Sequence, residues 1–241
     1  MEQQKLAPVP EDWERGLAVV AHPDDLEYGS SSAIARWTSQ GKQISYLLLT
    51  RGEAGIDSMT PEKAGPIREH EERESAKIVG VKEVEFLNYQ DGIIEYGLQL
   101  RRDIARVIRK QCPDIIITIN QHLTFGRTIL NMADHRWTGM AVLDAARDAG
   151  NRWIFPELLT EGMNPWGGIR MVFIGGSPYP THAVDITRFI DRGILSLEAH
   201  RVYIDNLSES FEPAEFLREN AIQTGKQSGY KYAISFEGID I

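Results

Sequence analysis

Val19-Val20-Ala21-His22-Pro23-Asp24-Asp25-Leu26-Glu27 sets an imidazole and two carboxylates where an apolar strand gives way to a helix. Residues 17–21 are apolar and partly β-branched, and Pro23 removes a ladder N–H and holds His22 extended, so the strand ends there. The polar groups then fall at a strand's carboxyl end, the edge at which open α/β sheets bind ligands. A helix expected over residues 26–40 would offer them the positive end of its dipole. His22 and Asp25 can close on one metal ion while Asp24 points elsewhere.

Outward from that stretch the chain alternates. Strands are expected near 17–21, 43–49, 83–87 and 114–119, separated by helices near 26–40, 62–79, 97–111 and 135–149. Strands at 170–174 and 183–186, helices at 190–203 and 213–224 and a short strand at 233–236 follow. This spacing predicts an α/β, Rossmann-like fold: a mainly parallel sheet flanked by helices, in one domain over 1–241 with a C-terminal helical and short-strand extension. Two long loops stand out. Residues 121–133 should lie beside the metal, and residues 153–168, rich in Trp, Pro and Gly, should either hold a sugar or acyl chain or pack structurally.

At 241 residues and 42% hydrophobic content, the chain can bury one sizeable core. A net charge of −9 argues against nucleic acid or an anionic membrane as partner. Residues 1–10 lack a basic and an apolar leader region, no run approaches a membrane span, and a single cysteine suits a reducing compartment, so a cytoplasmic location is expected.

A catalytic zinc keeps three protein ligands and leaves one position for water. Cys112 precedes Pro113 at a helix end and reads as structural, so the third ligand is sought among His70, His122, His135, His182 and His200. His135 has the best context, because Asp134-His135-Arg136-Trp137 opens a helix after a strand and loop. His70 lies in the charged run 68–74 and reads as a solvated helix face. The plainer reading of His-Pro-Asp-Asp is a turn with a capping aspartate, and of His135 a first-turn residue beside a capping Asp134.

Taken together these motifs resemble the PIG-L family, the LmbE-like zinc-dependent N-deacetylases. Ala21-His22-Pro23-Asp24-Asp25 is that family's first motif in full, and Met132-Ala133-Asp134-His135 half matches its His-Pro-Asp-His. Thr50-Arg51-Gly52-Glu53-Ala54-Gly55, Arg68-Glu69-His70-Glu71, Val79-Gly80-Val81, the run from Phe86 to Gly92, Val184-Asp185-Ile186 and Leu197-Glu198-Ala199-His200 resemble further signatures, covering about residues 16–203. The resemblance implies one zinc per chain, or another divalent ion, held by His22, Asp25 and His135. It implies a zinc-bound water attacking an N-acyl, chiefly N-acetyl, group of a small amino-sugar-containing substrate or glycoconjugate, with Asp24 as general base.

Met132 is the departure that matters, since the family histidine there can serve the reaction centre and a thioether cannot. His122, Tyr179, His182 and His200 are candidates for its duty. Asp91 is expected to have lost its partner, and Arg68 is a further candidate substrate contact. Arg51 replaces the family's usual aspartate. Two other readings are kept: a degenerate member that binds zinc or ligand without efficient turnover, and a dinucleotide-binding Rossmann protein, which Gly29-Ser30-Ser31-Ser32 argues against because it lacks the Gly-x-Gly-x-x-Gly run. Self-association is left open.

Overall fold

The computed structural model describes residues 5–126, 128–207 and 211–241. In chain order the elements are β1 (Ala7–Pro8), β2 (Arg15–Val20), α1 (Ser31–Ser39), β3 (Gln43–Leu48), α2 (Pro61–Ile78), β4 (Glu83–Phe86), α3 (Leu98–Gln111), β5 (Ile115–Ile119), β6 (Thr124–Phe125) and β7 (Ile129–Leu130). They continue with α4 (Ala133–Gly150), α5 (Glu157–Thr160), β8 (Met171–Gly175), β9 (His182–Asp185), α6 (Ile190–Glu198), α7 (Arg201–Asp205), α8 (Pro213–Ser228) and β10 (Ala233–Asp240).

One sheet runs in the order β1-β9-β10-β8-β5-β2-β3-β4. Its neighbours are parallel except at β10, which is antiparallel to both β8 and β9. Leu17 and Val19 of β2 point to one face and pack with Ile104 and Ile108 of α3 and Val142 and Ala146 of α4. Ala18 and Val20 point to the other, with Ile34 and Trp37 of α1 and Ile194 and Leu197 of α6. Central parallel strands covered on both faces need apolar side chains at every position, which is why β2 and β5 read as continuous runs rather than alternating ones.

Two expectations about helix limits need correction, and an open reading of a loop is narrowed. The first helix begins at Ser31 rather than at residue 26: Asp24 adopts a left-handed φ of 86°, and the Leu26 carbonyl accepts N–H groups from Gly29, Ser30 and Ser31, so residues 21–30 form successive turns. The helix expected over 190–203 breaks into α6 and α7 at Ala199-His200, where the His200 ring is drawn into the interior. The loop over 153–168 lies away from the carboxyl edge. Helix α4 starts at that edge with His135 and runs 18 residues, roughly 27 Å, to the opposite one. The loop packs there, with Trp166 donating to the Pro113 carbonyl at 2.7 Å and Arg109 holding the carbonyls of Ala149, Asn151 and Ile154. Trp166 therefore packs structurally, one of the two roles expected of this loop, while Trp153 is left exposed.

Within the other loop the hairpin β6–β7 folds over the carboxyl edge. Helix α4 sits close against β5: a Cβ at Gly139 would lie 2.6 Å from the Ile119 carbonyl oxygen. That contact sets the height of His135, one turn earlier on the same helix.

Candidate metal centre

After β2 the chain turns back on itself. Asp25 Oδ2 accepts the N–H groups of Ala21 at 3.0 Å and His22 at 2.8 Å, which brings the aspartate under the histidine. His135 arrives from the first turn of α4. His22 Nδ1 and His135 Nε2 then stand 3.2 Å apart, with Asp25 Oδ1 3.0 Å from His135 Nε2 and Asp25 Oδ2 3.7 Å from His22 Nδ1.

The outer face of each ring is already engaged. His135 Nδ1 faces Asn131 Oδ1 at 3.1 Å, and Asn131 is itself held because its amide donates to the carbonyls of Asn120 and His122 at 2.6 and 3.0 Å. His22 Nε2 lies 2.9 Å from Asp91 Oδ1 and 3.2 Å from Asp134 Oδ2, and Asp134 accepts N–H groups from Gly92 and Ile94. An amide oxygen and carboxylates only accept, so the ring protons sit on these outer nitrogens and the two inner nitrogens face each other as lone pairs. Two lone pairs at 3.2 Å with a carboxylate beside them need a positive charge between them. A borderline divalent ion fits that donor set of two imidazoles and one carboxylate, each oriented by an outer partner.

Burial works against a charged His22, but Asp25, Asp134 and Asp91 outweigh it and hold its pKa well above the ordinary imidazole value. Burial likewise opposes a charged Asp25, and His135 and His22 overcome it, holding the carboxyl far below its usual range. A proton on His22 and a cation among the three donors are therefore alternatives for the same negative field.

Asp24 points away from this triad, as its sequence position suggested. Burial pushes its carboxyl up to about 6 against the pull of Arg68, whose Nη2 lies 3.1 Å from Oδ2. Arg68 is 3% exposed and spends its other contacts on the carbonyls of Gly52 and Pro23, with its guanidinium stacked 4.1 Å over Tyr203. It anchors Asp24. The Asp24 N–H donates to Glu72 Oε2 at 3.2 Å.

The other candidates scatter. Asp91 has not lost its partner: it holds His22 and accepts the Ala54 N–H at 2.8 Å. His200 is wholly buried, 3.7 Å from both Glu27 and Glu72, so it does not contact the cleft. His182 packs edge-on to Phe173 and meets Thr181 Oγ1 at 2.8 Å, away from the triad. His122 stays at the rim, its Nε2 2.7 Å from Glu237 and its ring edge-on to the exposed Tyr179. Asn131 and Glu72 were missed by sequence reading. Asn131 falls one turn before His135, and Glu72 one turn after Arg68; that spacing was the available signal.

Beside the triad opens a cleft of about 840 Å³, bounded by Asp25 and His135, by Phe125 and Ile129 of the β6–β7 hairpin, and by Phe216 and Asn220 of α8. The last helix, whose role the sequence left open, thus forms one wall.

Both the sequence and the mainly parallel fold have known relatives. Residues 17–146 fit the profile of PIG-L, described as GlcNAc-PI de-N-acetylase. The chain is 30% identical over 231 residues to a diacetylchitobiose deacetylase of Thermococcus kodakarensis, spanning 95% of this chain and 83% of that one. Its fold superposes on the N,N'-diacetylchitobiose deacetylase of Pyrococcus horikoshii, solved with its inhibitor MPG, with a TM-score of 0.87, 27% identity and coverage of 95% and 85%. The 4-carboxy-2-hydroxymuconate hydratase GalB of Pseudomonas putida shares the fold alone, at a TM-score of 0.74 and 20% identity over 94% of this chain and 96% of that one. The chain belongs to the PIG-L family and is an enzyme of its metal-dependent N-deacetylase class. Among the described residues no helix is long and apolar enough to cross a membrane.

Proposed function

We infer that the chain hydrolyses the N-acetyl group of a small glucosamine-type sugar, releasing acetate and the free amine. The observation that carries this reading is the pair of inward-facing ring nitrogens 3.2 Å apart, closed by Asp25, with the buried Asp24 in the same turn. His22, Asp25 and His135 would hold one divalent ion, for which zinc is the best match to two imidazoles and one carboxylate. Such an ion, when bound, supplies Lewis acidity to the amide carbonyl and acidifies water.

Asp24 carries the proton. As carboxylate it takes a proton from the attacking water, and as acid it returns that proton to the amine nitrogen as the carbon–nitrogen bond breaks. A pKa of about 6 suits both halves of the cycle near neutral pH, and Arg68 fixes the carboxylate through Oδ2. The substrate class rests on the diacetylchitobiose deacetylases among its relatives and on the cleft walls. Phe125 and Ile129 offer apolar surface to a sugar face or acetyl methyl, while Asn220, Thr224 and Gln227 of α8 offer hydrogen-bonding groups to hydroxyls.

The test is acetate release from N,N'-diacetylchitobiose and N-acetylglucosamine, before chelation, after chelation, and after zinc is restored. Release that stops on chelation and returns with zinc is expected. Turnover of neither sugar, or turnover indifferent to chelation, contradicts the reading.

A further inference from the structure

Directly behind Asp24 lies a second group of ligand-type side chains that the deacetylation chemistry does not use. Glu27 from the turn after β2, Glu72 from α2 and His200 from the α6–α7 corner are essentially unexposed, and one donor atom from each lies within 4.8 Å of the others. We propose that Glu27, Glu72 and His200 form a second, enclosed binding site for a divalent transition ion, zinc or manganese.

Each carboxylate is tied by one oxygen and bare at the other. Glu27 Oε1 accepts hydroxyls from Ser75 at 2.6 Å, Ser31 at 3.2 Å and Ser196 at 3.3 Å, leaving Oε2 without a hydrogen-bond partner. Glu72 Oε2 accepts the Asp24 N–H, leaving Oε1 without one, and neither nitrogen of the His200 ring has a partner. Buried polar atoms are satisfied in the great majority of cases, so unsatisfied atoms on all three side chains of one interior cluster call for a specific occupant.

The spacing favours a cation. His200 Nε2 lies 3.7 Å from the bare Glu27 Oε2 and 3.7 Å from Glu72 Oε2, the oxygen that also accepts the Asp24 N–H. That is too long for a hydrogen bond, yet two donors bound about 2.1 Å from one ion at tetrahedral-to-trigonal angles lie roughly 3.4–3.6 Å apart. The triad beside Asp24 shows the same kind of spacing, 3.0 to 3.7 Å. Two carboxylates with one imidazole suit zinc or manganese better than magnesium, which keeps several waters and would need room for them. The ion would be structural. It would join the β2–α1 turn, α2 and the α6–α7 corner, and so fix the carboxylate that accepts the Asp24 N–H.

Metal content per chain after saturation with zinc or manganese and gel filtration tests this directly. The wild type should hold two ions, and His135→Ala and Glu72→Gln one each. One ion in the wild type and none in His135→Ala, or a Glu72→Gln count equal to that of the wild type, overturns the second site. Loss of one ion in Glu72→Gln alone, with His135→Ala unchanged, upholds it while removing the ligand assignment of the first. Should Glu72→Gln fail to fold, anomalous difference maps of wild-type crystals at the metal edge decide: a peak among the three side chains supports the site and its absence overturns it.

Discussion

Met132 caps α4 three residues before His135, with its side chain 53% exposed and no group able to donate a proton. Of the candidates for its duty, His200 is enclosed and His182 packs against Phe173, which leaves His122 at the rim with Tyr179 beside it. Glu237 orients the His122 ring, and Ser177 hydrogen-bonds to the same carboxylate oxygen. His122→Ala should therefore lower kcat about ten- to a hundredfold with metal content unchanged, and Met132→His should be neutral or harmful. A Met132→His variant gaining tenfold while His122→Ala is unaffected contradicts that assignment. At this scale His22, Asp24 and Asp25 were legible in sequence, because a strand end, a proline and three polar groups are contiguous. Glu72 was not, because it acts on Asp24, which the fold brings from another segment, and Asn131 was not, because its link to His135 forms only when the loop closes onto the first turn of α4.

Among the elements, the strands and most helix limits followed from apolar runs and breakers, while the departures occur where side chains overrule local propensity. The turns over residues 21–30 replace a helix start because Asp24 is held left-handed, its N–H donating to Glu72 and its carboxylate bound by Arg68. The break at His200 has the same origin, a side chain drawn inward beside Glu27 and Glu72. Helix α4 gives the sharpest test of how an element positions the centre. Gly139→Ala adds up to about 1 kcal/mol of helix propensity, but its methyl would meet the Ile119 carbonyl at 2.6 Å and Gln121 Cβ at 2.8 Å. Overpacking against backbone costs about 1–3 kcal/mol and wins. The variant should melt lower and bind zinc more weakly, since α4 must lift away from β5 and carry His135 with it. An unchanged melting temperature and zinc affinity would show that α4 has slack.

Across the whole molecule the donors at the sheet edge link metal binding to stability and pH. His22 has a folded pKa raised above its unfolded value, so in the metal-free protein its stabilising contribution is fully present below about pH 6.5 and is lost as pH rises through the higher folded value. Zinc must displace that proton, and each proton displaced makes affinity rise about tenfold per pH unit, about 1.4 kcal/mol. The melting-temperature increase on adding zinc should therefore grow from pH 6 to pH 8. A zinc effect that is flat or shrinking across that range contradicts a centre containing His22.

The central claim assigns neighbouring aspartates different work, Asp25 to the metal and Asp24 to the proton, and one substitution separates them. For Asp24→Asn, zinc content and acetate release from N,N'-diacetylchitobiose should be measured on the same sample. Full zinc retention with release slowed by about two to four orders of magnitude is the expected result. Wild-type release, or zinc lost along with activity, would contradict it.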